Sequence, residues 1–336
     1  MAQSVITDIG ERAEGAASAG GQNGSAQPAG LGSAVVTATR TAYVRYCLTL
    51  ALVPVLAVVG AMFIARSSWY LRHQRNSYLT ISDYAFLQAD KNCEVVIFGD
   101  SSALTGVAPR VLEAATGLRT CNIAQPNTAL AVAGTLALDA YLQKNAPPKI
   151  LLFQFTAPDF RPREGRDQLY EEGALQLVRH KLDPSTMQLF AEHPLAFLEF
   201  SEFVLRTALI NRDWSGATYE RTWAAVRETN GLFTAPGGPL SQCAGNLAVR
   251  PPDPEWIAAL RREYSRAGTR VLIYVAPYPA CDQSYAYYAA ALQGLSDNQL
   301  SRFDIRFFNE QNHFTREGAE INSRRIASDL AKLPPD

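Results

Sequence analysis

After residue 90 the chain alternates between short apolar runs and longer segments that are apolar on one side only. The runs "EVVIFG" (94–99), "RTCNIA" (119–124), "PKILLFQF" (148–155) and "TRVLIYVAP" (269–277) are too short for typical helices, and each reads as a strand covered on both faces. A last run, "IRFFN" (305–309), reads the same way. Between them, "APRVLEAATG", "TALAVAGTLALDAYLQK" and "WIAALRREYSRAG" place apolar residues at helical spacing, and a final helix begins near Thr315. Pro109 stands where a first helical turn accepts it, and Gly117 where a helix stops. Strands separated by such helices predict an α/β fold: an open, mostly parallel sheet with helices on both faces.

Two stretches depart from this rhythm. Residues 46–65, "YCLTLALVPVLAVVGAMFIA", carry no formal charge and are long enough to cross a bilayer, so one transmembrane helix is expected there, with Pro54 tolerable in lipid. Ahead of it, residues 1–45 are rich in Gly, Ala and Ser and read as a disordered tail. A polar helical connector is expected over 66–92, followed by the α/β domain over 93–336. That domain contains a helical insertion at about 160–250, which ends in a Gly/Pro-rich loop around "TAPGGPLSQCAGN". The insertion's "FAEHPLAFLEFSEFVL" reads as a core face, because Glu192, His193, Glu199 and Glu202 interrupt it.

Charge narrows the function classes. With 31 basic and 32 acidic residues, the chain has no electrostatic reason to bind nucleic acid or a polybasic-dependent surface. Arg40 and Arg45 precede the span and Arg66, Arg72 and Arg75 follow it, so the charge rule does not decide orientation. Apart from Cys47 in the span, four cysteines remain. They allow three connectivities or a reduced set. A bond between Cys243 and Cys281 is the preferred pairing, and Cys93 and Cys121 read as buried small hydrophobes. No Cys/His/Asp cluster has metal-ligand spacing and no Gly-rich loop has a phosphate-binding pattern, so neither metal nor cofactor is expected.

In open parallel sheets ligands bind beyond the carboxyl ends of the strands. Asp100, Ser101 and Ser102 follow the first strand, and "NEQNHF" (309–314) follows the last. A serine hydroxyl needs a base to take its proton, and a histidine base needs a carboxylate to fix its tautomer. Ser101, His313 and Glu310 could fill those roles, with backbone N–H groups after Gly99 facing a developing oxyanion. His73, His180 and His193 read as surface or satisfied residues, and the tyrosines of "SYAYYAAAL" as helix packing.

The "GDSS" block after the first strand and the C-terminal "ExxH" followed by "FTREGAEINSRRIASDL" resemble the SGNH or GDSL-type hydrolase superfamily, in particular its membrane-anchored bacterial envelope members. "VLIYVAPYPACD" is similar to a late strand and loop of anchored relatives. The resemblance covers about residues 94–330. It implies a flavodoxin-like SGNH fold, Ser101 as nucleophile and His313 as base. It also implies an inner-membrane, single-pass protein with a periplasmic C-terminal domain. The chain departs from that pattern in having Glu310 where an Asp is usual. "NIAQPNTA" stands where a Gly is usual, with Asn127 nearest. "QFTAPDF" stands where an Asn is usual, offering Gln154 and Asp159. The expected function is a membrane-anchored serine esterase or O-acyltransferase acting through an acyl-enzyme on acylated carbohydrate or lipid. The competing expectation is a catalytically degenerate protein that binds glycans or envelope assembly proteins.

Overall fold

The computed structural model describes residues 31–162, 170–235, 237–243, 249–265, 268–310 and 312–334. Two compact units meet within the first helix, residues 1–53 and 54–336. The expected disorder of residues 1–30 lies outside the described residues. Residues 31–45, expected in the same tail, instead begin helix α1 (Leu31–Arg66). Ala and Val outnumber Gly from residue 34 onward, and helix propensity wins there over the Gly/Ser composition of the residues before it. Within α1, Arg40–Arg66 is long and apolar enough to cross a membrane, with a mean hydropathy of 2.6.

The expected connector is helical but not a spacer. Helices α2 (Ser68–His73) and α3 (Ser77–Tyr84) are capped by Ser67 and Asn76, whose side chains accept from Tyr70 N and Tyr78 N. They bury Tyr70, Leu71, Leu79 and Ile81. The end of α1, itself part of the second unit, packs against the insertion. Ala61 and Ala65 are fully buried, Arg179 Nη1 donates to the carbonyls of Ala65 (2.9 Å) and Ser67 (3.2 Å), and Arg66 Nη1 donates to Val178 O at 3.1 Å. Asp83, buried, takes the other side of the Arg179 guanidinium through both carboxylate oxygens and also meets His180 Nε2. His180, whose ring stacks on Phe86, is thus a satisfied residue.

Strand β1 (Val95–Gly99) opens the sheet and is followed by α4 (Ser101–Gly106) and α5 (Pro109–Thr116). Gly117 closes α5 in the left-handed region at φ +73°. Then come β2 (Thr120–Asn122), α6 (Asn127–Ala133), α7 (Leu136–Lys144) and β3 (Ile150–Phe155). The single helix expected over 128–144 is divided because Gly134 takes φ +56° and ψ −128°, a conformation that ends α6.

The insertion supplies α8 (Glu171–His180), α9 (Pro184–Glu192), α10 (Pro194–Leu209) and α11 (Ala217–Glu228), and α12 (Pro254–Tyr264) returns the chain to β4 (Arg270–Val275). β1 to β4 form one parallel sheet in the order β2-β1-β3-β4. Alternate strand residues face opposite layers. Val96, Phe98, Leu151, Phe153 and Ile273 pack with α7 and α12, while Val95, Ile97, Leu152 and Leu272 pack with α4, α5 and the C-terminal helix. Helices therefore cover both faces, as the uniformly apolar strands require.

The expected last strand is corrected. Beyond β5 (Tyr278–Pro279), α13 (Tyr285–Ala291) and β6 (Arg302–Phe303), which pairs only with β5, residues 305–307 form a single tight helical turn. Asp304 caps that turn by accepting from Arg306 N, and Phe308 bridges antiparallel to Phe314. A short apolar run does not by its periodicity distinguish strand from helix. Helix α14 (Arg316–Leu330) completes the chain, with Thr315 accepting from Gly318 N at its start.

Both cysteine pairs are joined. Cys243–Cys281 matches the preferred pairing, and Cys93–Cys121, expected as independent buried residues, is bonded across neighbouring strands β1 and β2 with Cα atoms 5.9 Å apart. The parallel register Val95↔Thr120 sets the two cysteines near one another at the strand starts. Part of the Gly/Pro loop before Cys281's partner lies outside the described residues.

Candidate active site

The strand order reverses between β1 and β3, and the residues after those two strands meet at the carboxyl edge of the sheet, where open α/β sheets bind ligands. Gly99 ends β1 at φ +152°, and a Cβ there would lie 1.8 Å from Gln154 O. Only glycine lets the strand turn so close to β3. Asp100 then caps α4: its Oδ1 accepts from Ser102 N (2.8 Å) and from the Ser102 hydroxyl, and its Oδ2 accepts from Thr156 N (2.8 Å). The Thr156 hydroxyl lies 2.9 Å from Asp100 Oδ2 and 2.7 Å from Asp159 Oδ2.

This network separates two adjacent serines that look alike in the sequence. Ser102 is fully buried and its hydroxyl belongs to Asp100, whereas Ser101 retains 4 % exposure and its hydroxyl makes no hydrogen bond among the described residues. Of the two, Ser101 is the one whose hydroxyl is left uncommitted among the described residues.

His313 is brought to α4 by its neighbour in the chain. The Phe314 ring is buried and lies so close to Gly106 that a Cβ there would meet it at 2.5 Å. Phe314 N donates to Thr105 Oγ1 at 3.2 Å, and that hydroxyl donates to Ser101 O at 2.8 Å. One threonine therefore links the backbone of Ser101 to that of Phe314, the neighbour of His313. From α14, Asn322 Nδ2 donates to Gly106 O and Gln154 Oε1, and Ser323 Oγ accepts from Ala108 N.

Glu310 Oε2 lies 2.8 Å from His313 Nδ1, with the histidine side chain 12 % exposed and the glutamate 55 %. Nδ1 makes no well-aligned hydrogen bond, so this is a close contact that becomes ionic only when the imidazole is protonated. Burial holds the imidazole below its ordinary value of 6.5, and the Glu310 charge opposes that shift. No hydrogen bond joins Ser101 Oγ to the imidazole among the described residues; the two residues share one helix end through Thr105.

The remaining candidates divide. Asn127, at the start of α6, accepts from Ser101 N through Oδ1 at 3.3 Å and donates from Nδ2 to Asp159 Oδ2 at 3.4 Å. Its amide can sit only this way round, since reversal would set NH₂ against N–H and oxygen against carboxylate. Asn127 and Asp159 thus lie beside Ser101. Gln154 does not: fully buried, it donates to Ser102 O and accepts from Asn322, and both ends of its amide are committed beneath the turn.

Sequence reasoning missed Thr105, Thr156 and Phe314, which carry no motif of their own. It also missed Tyr78, whose phenol is raised by burial and then by the charge of Glu310, and which comes from the supposed connector. No group of three or more His, Cys, Asp and Glu residues able to hold a metal ion occurs among the described residues. No family model matches the chain, and neither a curated protein nor a solved structure matches it.

Proposed function

We propose that the protein is a membrane-anchored serine esterase or O-acyltransferase of the SGNH type. The observation that carries this reading is the single uncommitted hydroxyl of Ser101 on a helix whose next turn anchors the His313 loop through Thr105. In the proposed reaction Ser101 Oγ attacks an ester carbonyl, and the neutral imidazole of His313 takes the hydroxyl proton. Glu310, at Nδ1, orients the ring and steadies its charged form. The alcohol leaves with the proton from His313, and the acyl-serine passes to water or to a sugar hydroxyl.

An oxyanion donor comes from a small rearrangement. The two contacts holding the Asn127 amide are long, 3.3 and 3.4 Å. Swinging that side chain aside, with its amide not reversed, frees Ser101 N–H as a donor to the developing oxyanion. Two disulfides support an oxidising compartment, and the Arg40–Arg66 helix supports single-pass attachment. Together with the resemblance, they favour a periplasmic domain on the bacterial inner membrane.

A second reading is favoured by the same amide. With Ser101 N–H already donated to Asn127, the chain also fits a non-catalytic member that binds glycans or envelope assembly partners. A serine-reactive fluorophosphonate decides between them on the full chain in lipid nanodiscs. Labelling abolished by Ser101→Ala and retained by Ser102→Ala supports the enzyme; a wild-type chain that never labels supports the binder.

A further inference from the structure

A cavity of about 300 Å³ lies between α6, α12 and the face of the sheet. Most of its wall is apolar: Phe98, Leu130, Ala131, Phe155, Trp256 and Leu260. Phe155 and Trp256 meet with ring centroids 5.3 Å apart, so part of the wall is aromatic. The polar wall residues are Thr135, Asp159 and Arg161. Asp159 ties the cavity to the chemistry, because its carboxylate accepts from Asn127 Nδ2, and Asn127 holds the N–H of Ser101. The cavity wall is therefore two hydrogen bonds from the amide of the nucleophile.

We infer that this cavity receives the acyl chain of the substrate, and that the chain is of medium length. The inference rests on the acyl-enzyme reading above and names its substrate class. An acyl group bonded to Ser101 Oγ needs shelter from water, and the apolar cavity whose wall includes Asp159, the partner of Asn127, is where it would lie. On the scale at which a cavity of about 150 Å³ holds benzene, this one has room for roughly a dozen carbon atoms. An acetyl group would leave most of it empty. A sugar would find few hydrogen-bond partners among its walls, and burying hydroxyls without partners is costly.

Trp256 makes the cavity observable without turnover. In full-length Ser101→Ala protein in nanodiscs, the methyl ester of ω-bromooctanoic acid should quench tryptophan emission saturably, and Trp256→Phe should remove that saturable part. In the wild type, p-nitrophenyl octanoate should be cleaved faster than both acetate and palmitate esters. Ala131→Phe, which fills the cavity by several methylenes, should lower the octanoate-to-acetate ratio of kcat/KM by about tenfold or more.

Saturable Trp256-dependent quenching in a protein without esterase activity would keep the cavity assignment while removing the catalytic reading. Esterase activity with no Trp256-dependent quenching, or with a chain-length profile highest at acetate and unchanged by Ala131→Phe, would overturn the assignment and leave catalysis standing.

Discussion

Thr105→Val tests the link between fold and site most directly, because the substitution keeps the shape of the side chain and removes only its hydroxyl. Thr105 is 1 % exposed, so nothing replaces that hydroxyl with water. Two bonds are lost: the 2.8 Å donation to Ser101 O and the 3.2 Å acceptance from Phe314 N. A buried N–H left without a partner costs about 1–3 kcal/mol, and the lost donation about 1 kcal/mol more. The expected loss is therefore about 2–4 kcal/mol, or a fall in Tm of roughly 4–16 °C for a domain of this size. Unfolding followed by tryptophan emission in nanodiscs measures it. A larger effect is expected on chemistry. With its tether gone, the 309–315 loop is free to shift, and a displacement near 1 Å at a reacting group costs on the order of 10²-fold in rate. The rate of fluorophosphonate labelling at a temperature well below both transitions reads that separately. Thr105→Ser, which keeps the hydroxyl, should restore most of the labelling rate. A valine variant that is less stable yet labels at the wild-type rate would refute the claim that Thr105 positions His313.

Ser101→Ala should abolish labelling and leave stability within about 0.5 kcal/mol of wild type, as its hydroxyl makes no hydrogen bond among the described residues; Ser102→Ala should label but lose about 1.5–3 kcal/mol, having surrendered a bond to Asp100. Because burial lowers the His313 pKa, the neutral base persists below pH 6.5, and labelling should decline only as pH falls further. Glu310→Gln removes the charge that opposes this shift, so the acid limb of the profile should move to still lower pH while the maximal rate falls less than in His313→Ala; a limb that moves upward would contradict the assigned contact. Gly99→Ala should fail to give folded protein, since its Cβ would meet Gln154 O at 1.8 Å, and a soluble, cooperatively unfolding variant would show that β1 and β3 can separate at that point.

The local grammar of the fold was legible from residues in sequence. Pro109 and Gly117 bound α5, Thr315 caps α14, and the four covered strands are where short apolar runs place them. Their carboxyl ends also located Ser101. What the sequence could not show is which polar group each residue finds across the fold. Ser101 and Ser102 are chemically identical and become different only because Asp100 turns one oxygen toward Ser102. Gln154 and Asn127 were equal candidates until Asn322 claimed one and Ser101 N–H the other. "IRFFN" was misread because Phe308 satisfies its burial by pairing with Phe314 in place of joining the sheet. Cys93 and Cys121 stand 28 positions apart, and only the strand register brings them together.

The grip of Arg179 on the carbonyls of Ala65 and Ser67 bears on what would follow from separating the long apolar helix from the rest of the chain. At about 1.5 Å of rise per residue, the 27-residue apolar stretch exceeds the thickness of a hydrocarbon layer, so its final turns are spare length. Those turns are where Ala61 and Ala65 fill the interior. A protease cutting at Arg66 would therefore not release an intact folded body. It would draw a plug from the fold and strand a guanidinium, so cutting and unfolding would be the same event.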